Sequence, residues 1–306
     1  MVTALAMNLA IRIAAAILSL PPDALAPMIP MMAPPPRNGL EMDVRNEVDT
    51  ALFGSCSSSD DTAPLFVISP EEANFVNCQT GLPSQQGVYE SEQDNNAAET
   101  YGEVTALGAR QLFHIMGLTK MHISKQPNYQ FVDLGSGGGR LVMQAHLELP
   151  SVFKSVGIEL SPSRHKVALN TWNNLVDSGD ADRIRKFAER SWGMNADTNN
   201  NILSTVELQE GDMFQLDISK ATHLYVASLC FSDQMLERLV EKIEREGTSL
   251  QIIASLRLLP TLQKDEAQIK HVTLGSNPWQ EMVEMSWTKA RGDGCPVYFY
   301  SVKNLQ

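Results

Sequence analysis

The stretch FVDLGSGGGR, residues 131–140, constrains this chain more than any other part of it. Tyr129–Leu134 (YQFVDL) reads as a short apolar strand, and the glycines that follow impose a turn. Arg140–Leu149 (RLVMQAHLEL) then has helical texture until Pro150 stops it. A strand running through a glycine turn into a helix opens a doubly wound α/β sheet, and such sheets bind ligands at the carboxyl edge of the strands. Glycines allow the tight turn and the close approach of backbone to ligand. The dinucleotide fingerprint GxGxxG is broken, because Arg140 stands where its third glycine belongs. What remains is GxGxG preceded by Asp133.

The alternation continues. Ser155–Leu160 (SVGIEL) is a second strand, and Ser161-Pro162 is an N-cap with proline at the first helical position. A helix follows to Gly179, then a second one, DADRIRKFAERSW. Further strands are expected at Ser204–Gln209, His223–Leu229 and Ser249–Leu256, with the amphipathic helix SDQMLERLVEKIERE between the last two. Met282–Trp287 and Pro296–Val302 flank the loop KARGDG as a hairpin. The expectation is a seven-stranded sheet, five parallel strands followed by an antiparallel hairpin.

Residues 1–100 are of another kind, with three arginines, no lysine, 13 acidic residues and ten of the 16 prolines of the 306-residue chain. Residues 27–99 read as mostly disordered, acidic and proline-rich, with short islands such as Leu65–Ile68 able to dock on the domain. Residues 1–26 are an apolar leader interrupted by Arg12 and ending in Ala24-Leu25-Ala26, the form of a cleaved targeting segment; Pro27 suits such a cleavage poorly, a frayed apolar leader is the other reading, and a stable membrane span is not expected. The domain proper is expected over residues 100–306. With net charge −12 and no basic tail, strong bulk binding of nucleic acid is not expected either. Four cysteines without CxxC spacing and six scattered histidines offer no metal site.

Acidic residues close three successive strands. Asp133 ends the first, Glu159 the second, 24 residues beyond Gly135, and Asp212 follows the third within Gly211-Asp212-Met213. Asp133 suits the amino-acid part of a ligand that has no pyrophosphate, Glu159 can accept from both ribose hydroxyls, and Asp212 from an adenine amino group with Met213 on the ring face. Together they point to S-adenosylmethionine. Singly they read as well as a tight turn, a helix N-terminal charge and a solvated turn.

Several motifs, from about Thr100 to Val302, together resemble the Dot-one (disruptor of telomeric silencing) family of histone-lysine methyltransferases that lack a SET domain. Tyr101-Gly102-Glu103 before a helix is similar to the family's YGE loop over the cofactor, FVDLGSGGGRLVMQ to its FVDLGSGxGxxVxQ, and SWTKARGDGCPVYFY to its terminal SWTGxPVxYY hairpin. The resemblance implies the class I methyltransferase fold, S-adenosylmethionine as methyl donor and a protein-lysine substrate, histone or nucleosome. It implies cofactor contacts from Tyr101, Gly102, Glu103, Asp133, Gly135, Gly137, Arg140, Glu159, Asp212 and Met213. It also implies a nuclear setting, against the organellar or secretory one suggested by the leader.

The departures from that pattern surround the transfer site. Ala227-Ser228 replaces a paired Asn-Asn, Phe299 stands at the channel tyrosine, Arg140 replaces a glutamine and Met213 a phenylalanine. Phe231, Val297, Tyr298 and Phe299 are the candidate walls of an acceptor channel, with Ser228 as polar handle; Phe231 reads equally as sheet core. Cys230 reads as a small buried residue rather than a nucleophile. Two other functions fit the same residues: transfer to a non-histone or small-molecule acceptor, and a non-catalytic scaffold that binds the cofactor.

Overall fold

A computed structural model describes residues 35–36, 38–53, 69, 71–72, 102–120, 129–194, 205–261, 270–288 and 294–305. Tyr101 and the leader lie outside the described residues. In chain order the elements are α1 (Gly39–Phe53), α2 (Ala106–Ile115), β1 (Tyr129–Leu134), α3 (Arg140–Glu148), β2 (Val152–Glu159), α4 (Pro162–Asp177), α5 (Asp180–Ser191), β3 (Thr205–Glu210) and β4 (His223–Val226). A 3₁₀ turn at Ser228–Cys230, α6 (Asp233–Glu246), β5 (Ile252–Ser255), β6 (Val272–Leu274), β7 (Trp279–Val283) and β8 (Cys295–Asn304) complete them.

The sheet runs β3-β2-β1-β4-β5-β8-β6, with β7 also paired to β8. The first five strands are parallel to their neighbours, and β8 is antiparallel to β5, β6 and β7. The switch of strand order lies between β1 and β4, where the glycine turn sits. Among the described residues there are eight strands, not the seven expected. The three-residue β6 pairs with the far end of β8, and a strand that short carries no readable alternation in sequence. The final pair also shifts: β7 is Trp279–Val283, while Met285 makes a lone bridge to Val104.

Side-chain alternation sorts the core into two faces. Val132, Leu134, Leu224, Val226, Ile253, Tyr298 and Tyr300 pack beneath α6 with Met235, Leu236, Leu239 and Ile243. Phe131, Tyr225, Ala254, Val297 and Phe299 pack beneath α2 with Ala109, Leu112 and Phe113. Serines cap two of the helices: Ser161, the cap expected from sequence, accepts from Arg164 N at 3.3 Å, and Ser232 accepts from Met235 N at 3.2 Å. The end of α3 is closed differently. Arg185, buried on α5, donates to the carbonyls of His146, Leu149, Pro150 and Val152, a cation set on the negative end of the helix.

Helix α1 arises inside the segment 27–99. Val44, Val48 and Leu52, four residues apart, bury one stripe against Met143, Leu147, Ile184 and Ala188 of α3 and α5. Its Asp49 pairs with Arg110 of α2 at 2.5 Å, and Arg110 also forks onto the buried Glu148 at 2.6 Å.

Candidate functional site

The glycine turn is pinned to the second strand. Gly135 N and Ser136 N both donate to Ile158 O at 2.9 Å. Gly157 makes room for this: a Cβ there would lie 2.7 Å from Ser136 Oγ. Gly137 N then donates to Glu159 Oε2 at 2.8 Å, and Ser161 N to Glu159 Oε1 at 2.9 Å. One carboxylate therefore fixes both the glycine turn and the start of α4, while each oxygen keeps a lone pair for a further donor. Gly211 N donates to Glu159 O at 2.9 Å, and Asp212 Oδ1 accepts from Phe214 N at 2.9 Å. Met213 is buried in the core face under α6.

Asp133 is 3% exposed, and its Oδ1 has no hydrogen-bond partner. Burial, and then the carboxylates of Glu159 and Glu103, hold its pKa well above the ordinary carboxylate range. Such a group asks for a cation. In register across the sheet from it stand Tyr225, Ala254, Phe299 and Trp279. Burial, then Asp133 and Cys295, push the Tyr225 phenol well above its usual range. Phe299 and Trp279 stack with centroids 5.5 Å apart and planes 20° apart.

A roof closes over this edge. Glu103 N donates to Ser286 Oγ at 3.1 Å and Ser286 N to Glu103 O at 2.8 Å, beside the Val104–Met285 bridge. Gly102 lies under the indole of Trp287, where a Cβ would come within 2.3 Å of the ring. Arg140 Nη1 donates to Glu103 Oε2 at 2.6 Å, joining the roof to the first residue of α3. Sequence reasoning missed Trp287, whose place over Gly102 joins residues 185 positions apart.

S-adenosylmethionine carries an ammonium and a sulfonium against one carboxylate, so it binds as a net cation. The residues fit it. A buried carboxylate lacks a partner at Oδ1, two more carboxylates stand nearby, and the Cβ position at Gly135, at φ +84°, opens onto empty space.

Glu103, Asp133, Gly135, Gly137, Arg140 and Glu159 thus gather around the ends of β1 and β2, with Asp212 and Met213 at the end of β3. The five acceptor-side residues do not gather. Val297 and Phe299 face α2, whereas Tyr298 and Phe231 pack on the α6 side, because adjacent residues of β8 point to opposite faces. Ser228 is fully buried: its Oγ bonds Ser255 Oγ at 2.8 Å and accepts from Arg257 N at 2.9 Å. Among the described residues no group of three or more His, Cys, Asp or Glu is placed to hold a metal ion, and no helix is long and apolar enough to cross a membrane.

The chain is similar in fold to an RNA methyltransferase from Salinibacter ruber in complex with S-adenosyl-L-homocysteine (17% identity, 63% of this chain and 88% of that one, TM-score 0.36). It is also similar to TrmN from Thermus thermophilus (15%, 65% and 48%, TM-score 0.37). A third likeness is to an S-adenosylmethionine-dependent methyltransferase from Thiobacillus denitrificans in complex with S-adenosyl-L-homocysteine (16%, 47% and 46%, TM-score 0.27). A comparison with curated protein sequences found no match. The family described as histone methylation protein DOT1 matches residues 89–299, ending within β8. With that match over more than half its length, the chain belongs to the histone methylation protein DOT1 family and is an S-adenosylmethionine-dependent methyltransferase.

Proposed function

We propose that the protein transfers a methyl group from S-adenosylmethionine to the ε-amine of a lysine in a protein, a histone within the nucleosome being the first substrate to test. Family membership supports the acceptor class. The observation that carries the cofactor half is the buried Asp133 carboxyl, without a partner at Oδ1 and flanked by Glu159 and Glu103.

When bound, S-adenosylmethionine supplies a methyl on a sulfonium, which an amine takes by in-line displacement. The protein's share is orientation and the exclusion of water. Asp133 orients the ammonium end and Glu159 the sugar, and the roof of Glu103 and Trp287 shields the reacting edge. A lysine attacks only as the neutral amine, and its ordinary pKa near ~10.4 must fall on entry. The apolar wall of Val297 and Phe299, on the face that carries Asp133, favours the neutral form by withdrawing the charged one from water.

The test is incubation of the full chain with methyl-labelled cofactor and nucleosomes, free histones or a cell lysate, with products resolved on a gel and the modified residue mapped. Label on a histone lysine, strongest with nucleosomes, is expected. The commitment of Ser228 Oγ to Ser255 and Arg257 favours a second outcome, a non-histone or small-molecule acceptor. Label only in other proteins or at the small-molecule front would establish that outcome and overturn the first. Cofactor binding without any transfer would leave a scaffold.

A further inference from the structure

We infer that the cofactor site extends beyond the matched residues 89–299 to Phe53, a positioning residue that sets Arg140 and, through it, Glu103. The inference rests on the cofactor reading above and concerns a residue 36 positions upstream of where the family match begins.

Helix α1 is anchored along its length. Val44, Val48 and Leu52 are buried on α3 and α5, Asp49 pairs with Arg110 on α2, Glu47 pairs with Arg183 on α5, and Asn38 Nδ2 donates to Ser191 O at 3.0 Å. These anchors deliver its last residue, Phe53, to the start of α3. There the ring faces the Arg140 guanidinium, 5.5 Å from centroid to Cζ. The other end of that guanidinium holds Glu103 at 2.6 Å, with both side chains largely out of water, 15% and 11% exposed. Glu103 is in turn bound through its backbone to Ser286 in the roof. Phe53, Arg140, Glu103 and Ser286 thus form one continuous line of contacts from the upstream helix to the roof.

The physical consequence follows from charge. Glu103 and Glu159 both act electrostatically on Asp133, so the charge that a cationic ligand meets there depends on the Glu103 carboxylate being held in place. Arg140 does this, and an aromatic face on a guanidinium both fixes its rotamer and strips water from the ion pair, which strengthens it. Phe53 therefore acts on the cofactor through two intermediaries while touching neither the cofactor nor its acceptor.

The experiment uses the full chain and measures S-adenosylmethionine affinity and KM at a temperature well below unfolding. Phe53→Ala is expected to weaken binding roughly three- to tenfold, the range a partly desolvated cation–π contact supports, with little change in kcat. Phe53→Tyr, which keeps the ring, is expected to restore it, and Phe53→Leu, which keeps only apolar volume, is not. Leu175→Ala, in the same core cluster but outside the line of contacts from Phe53 to Ser286, controls for stability; it is expected to lower Tm and leave KM unchanged. Wild-type affinity in Phe53→Ala, or a shift in Leu175→Ala equal to that of Phe53→Ala, overturns the inference alone. A wild-type chain that does not bind S-adenosylmethionine overturns the cofactor reading and the inference with it.

Discussion

The amide of Gly137 donates to Glu159 Oε2 across 2.8 Å, so the glycine turn after β1 is held by the residue that ends β2. Because Oε1 takes the Ser161 amide as well, Glu159 braces the fold on both sides of the proposed cofactor site. Glu159→Ala leaves two backbone donors unpaired in a buried corner, each costing about 1–3 kcal/mol. The expected result is a chain with lower Tm that no longer gains thermal stability on addition of S-adenosylmethionine, whereas the wild type does. A melt of Glu159→Ala that rises with cofactor as far as the wild type's would remove Glu159 from the site.

Asp133 makes stability and binding oppose each other. Its pKa is raised in the folded state, so the native protein holds a proton that the unfolded chain releases near ~3.9. The stability sustained by that proton is complete below the unfolded value and falls as pH rises through the folded one. Asp133→Asn cannot ionise, so it should be more stable than wild type by a margin that widens above about pH 4. Its cofactor affinity should drop at least about tenfold, the loss of one charge-assisted bond. Wild-type binding should release a proton and tighten with rising pH, while the variant's affinity stays flat. Melting curves and titration calorimetry across pH read both effects, and parallel pH profiles for the two proteins would refute the assignment.

Much of this was legible in the sequence because it is local. Strand, glycine turn and helix at 129–149 follow from composition over twenty residues, and Ser161-Pro162 announces α4 without any tertiary contact. Asp133, Glu159 and Asp212 stand where the apolar strands before them end, as their places in the sequence imply. What escaped depends on neighbours distant in sequence. β6 exists only because β8 runs on to Asn304, and Trp287 becomes part of the roof only because Gly102 lies beneath it. The α1 stripe of Val44, Val48 and Leu52 is regular, but the surrounding prolines and acids concealed it. Phe231, Val297, Tyr298 and Phe299 cannot share one wall, because a strand sends adjacent residues to opposite faces.

The contact of Gly102 with Trp287 can be tested on its own terms. A Cβ at 102 would meet Cε3 and Cζ3 of the indole at 2.3 and 2.4 Å, so Gly102→Ala must push the ring away or lift the loop. Overpacking of this kind costs about 1–3 kcal/mol. Cofactor affinity should fall with it, since the loop carries Glu103. In a Trp287→Leu background the same substitution should cost much less, and a double-mutant cycle gives the coupling between the two positions. Additive effects would show that Gly102 answers to something other than the indole.

Ser228 separates a role in the fold from a role in transfer. Ser255 Oγ donates to Arg257 O at 2.8 Å, so its single proton is spent, and the Ser228 hydroxyl must be the donor in their 2.8 Å contact. Arg257 N closes the circuit onto Ser228 Oγ at 2.9 Å. Three bonds thus run in one direction and tie the turn after β4 to the turn after β5, with Ser228 fully buried. Ser228→Ala breaks two of them and should cost about 1–3 kcal/mol in urea unfolding. Below its melting temperature kcat/KM should stay within about threefold of wild type, because the hydroxyl's single proton is committed to Ser255 and the group is fully buried. A polar handle on the acceptor would instead take kcat down by about a hundredfold, in the range of a lost transition-state donor, with little change in stability. That outcome would return Ser228 to the transfer site.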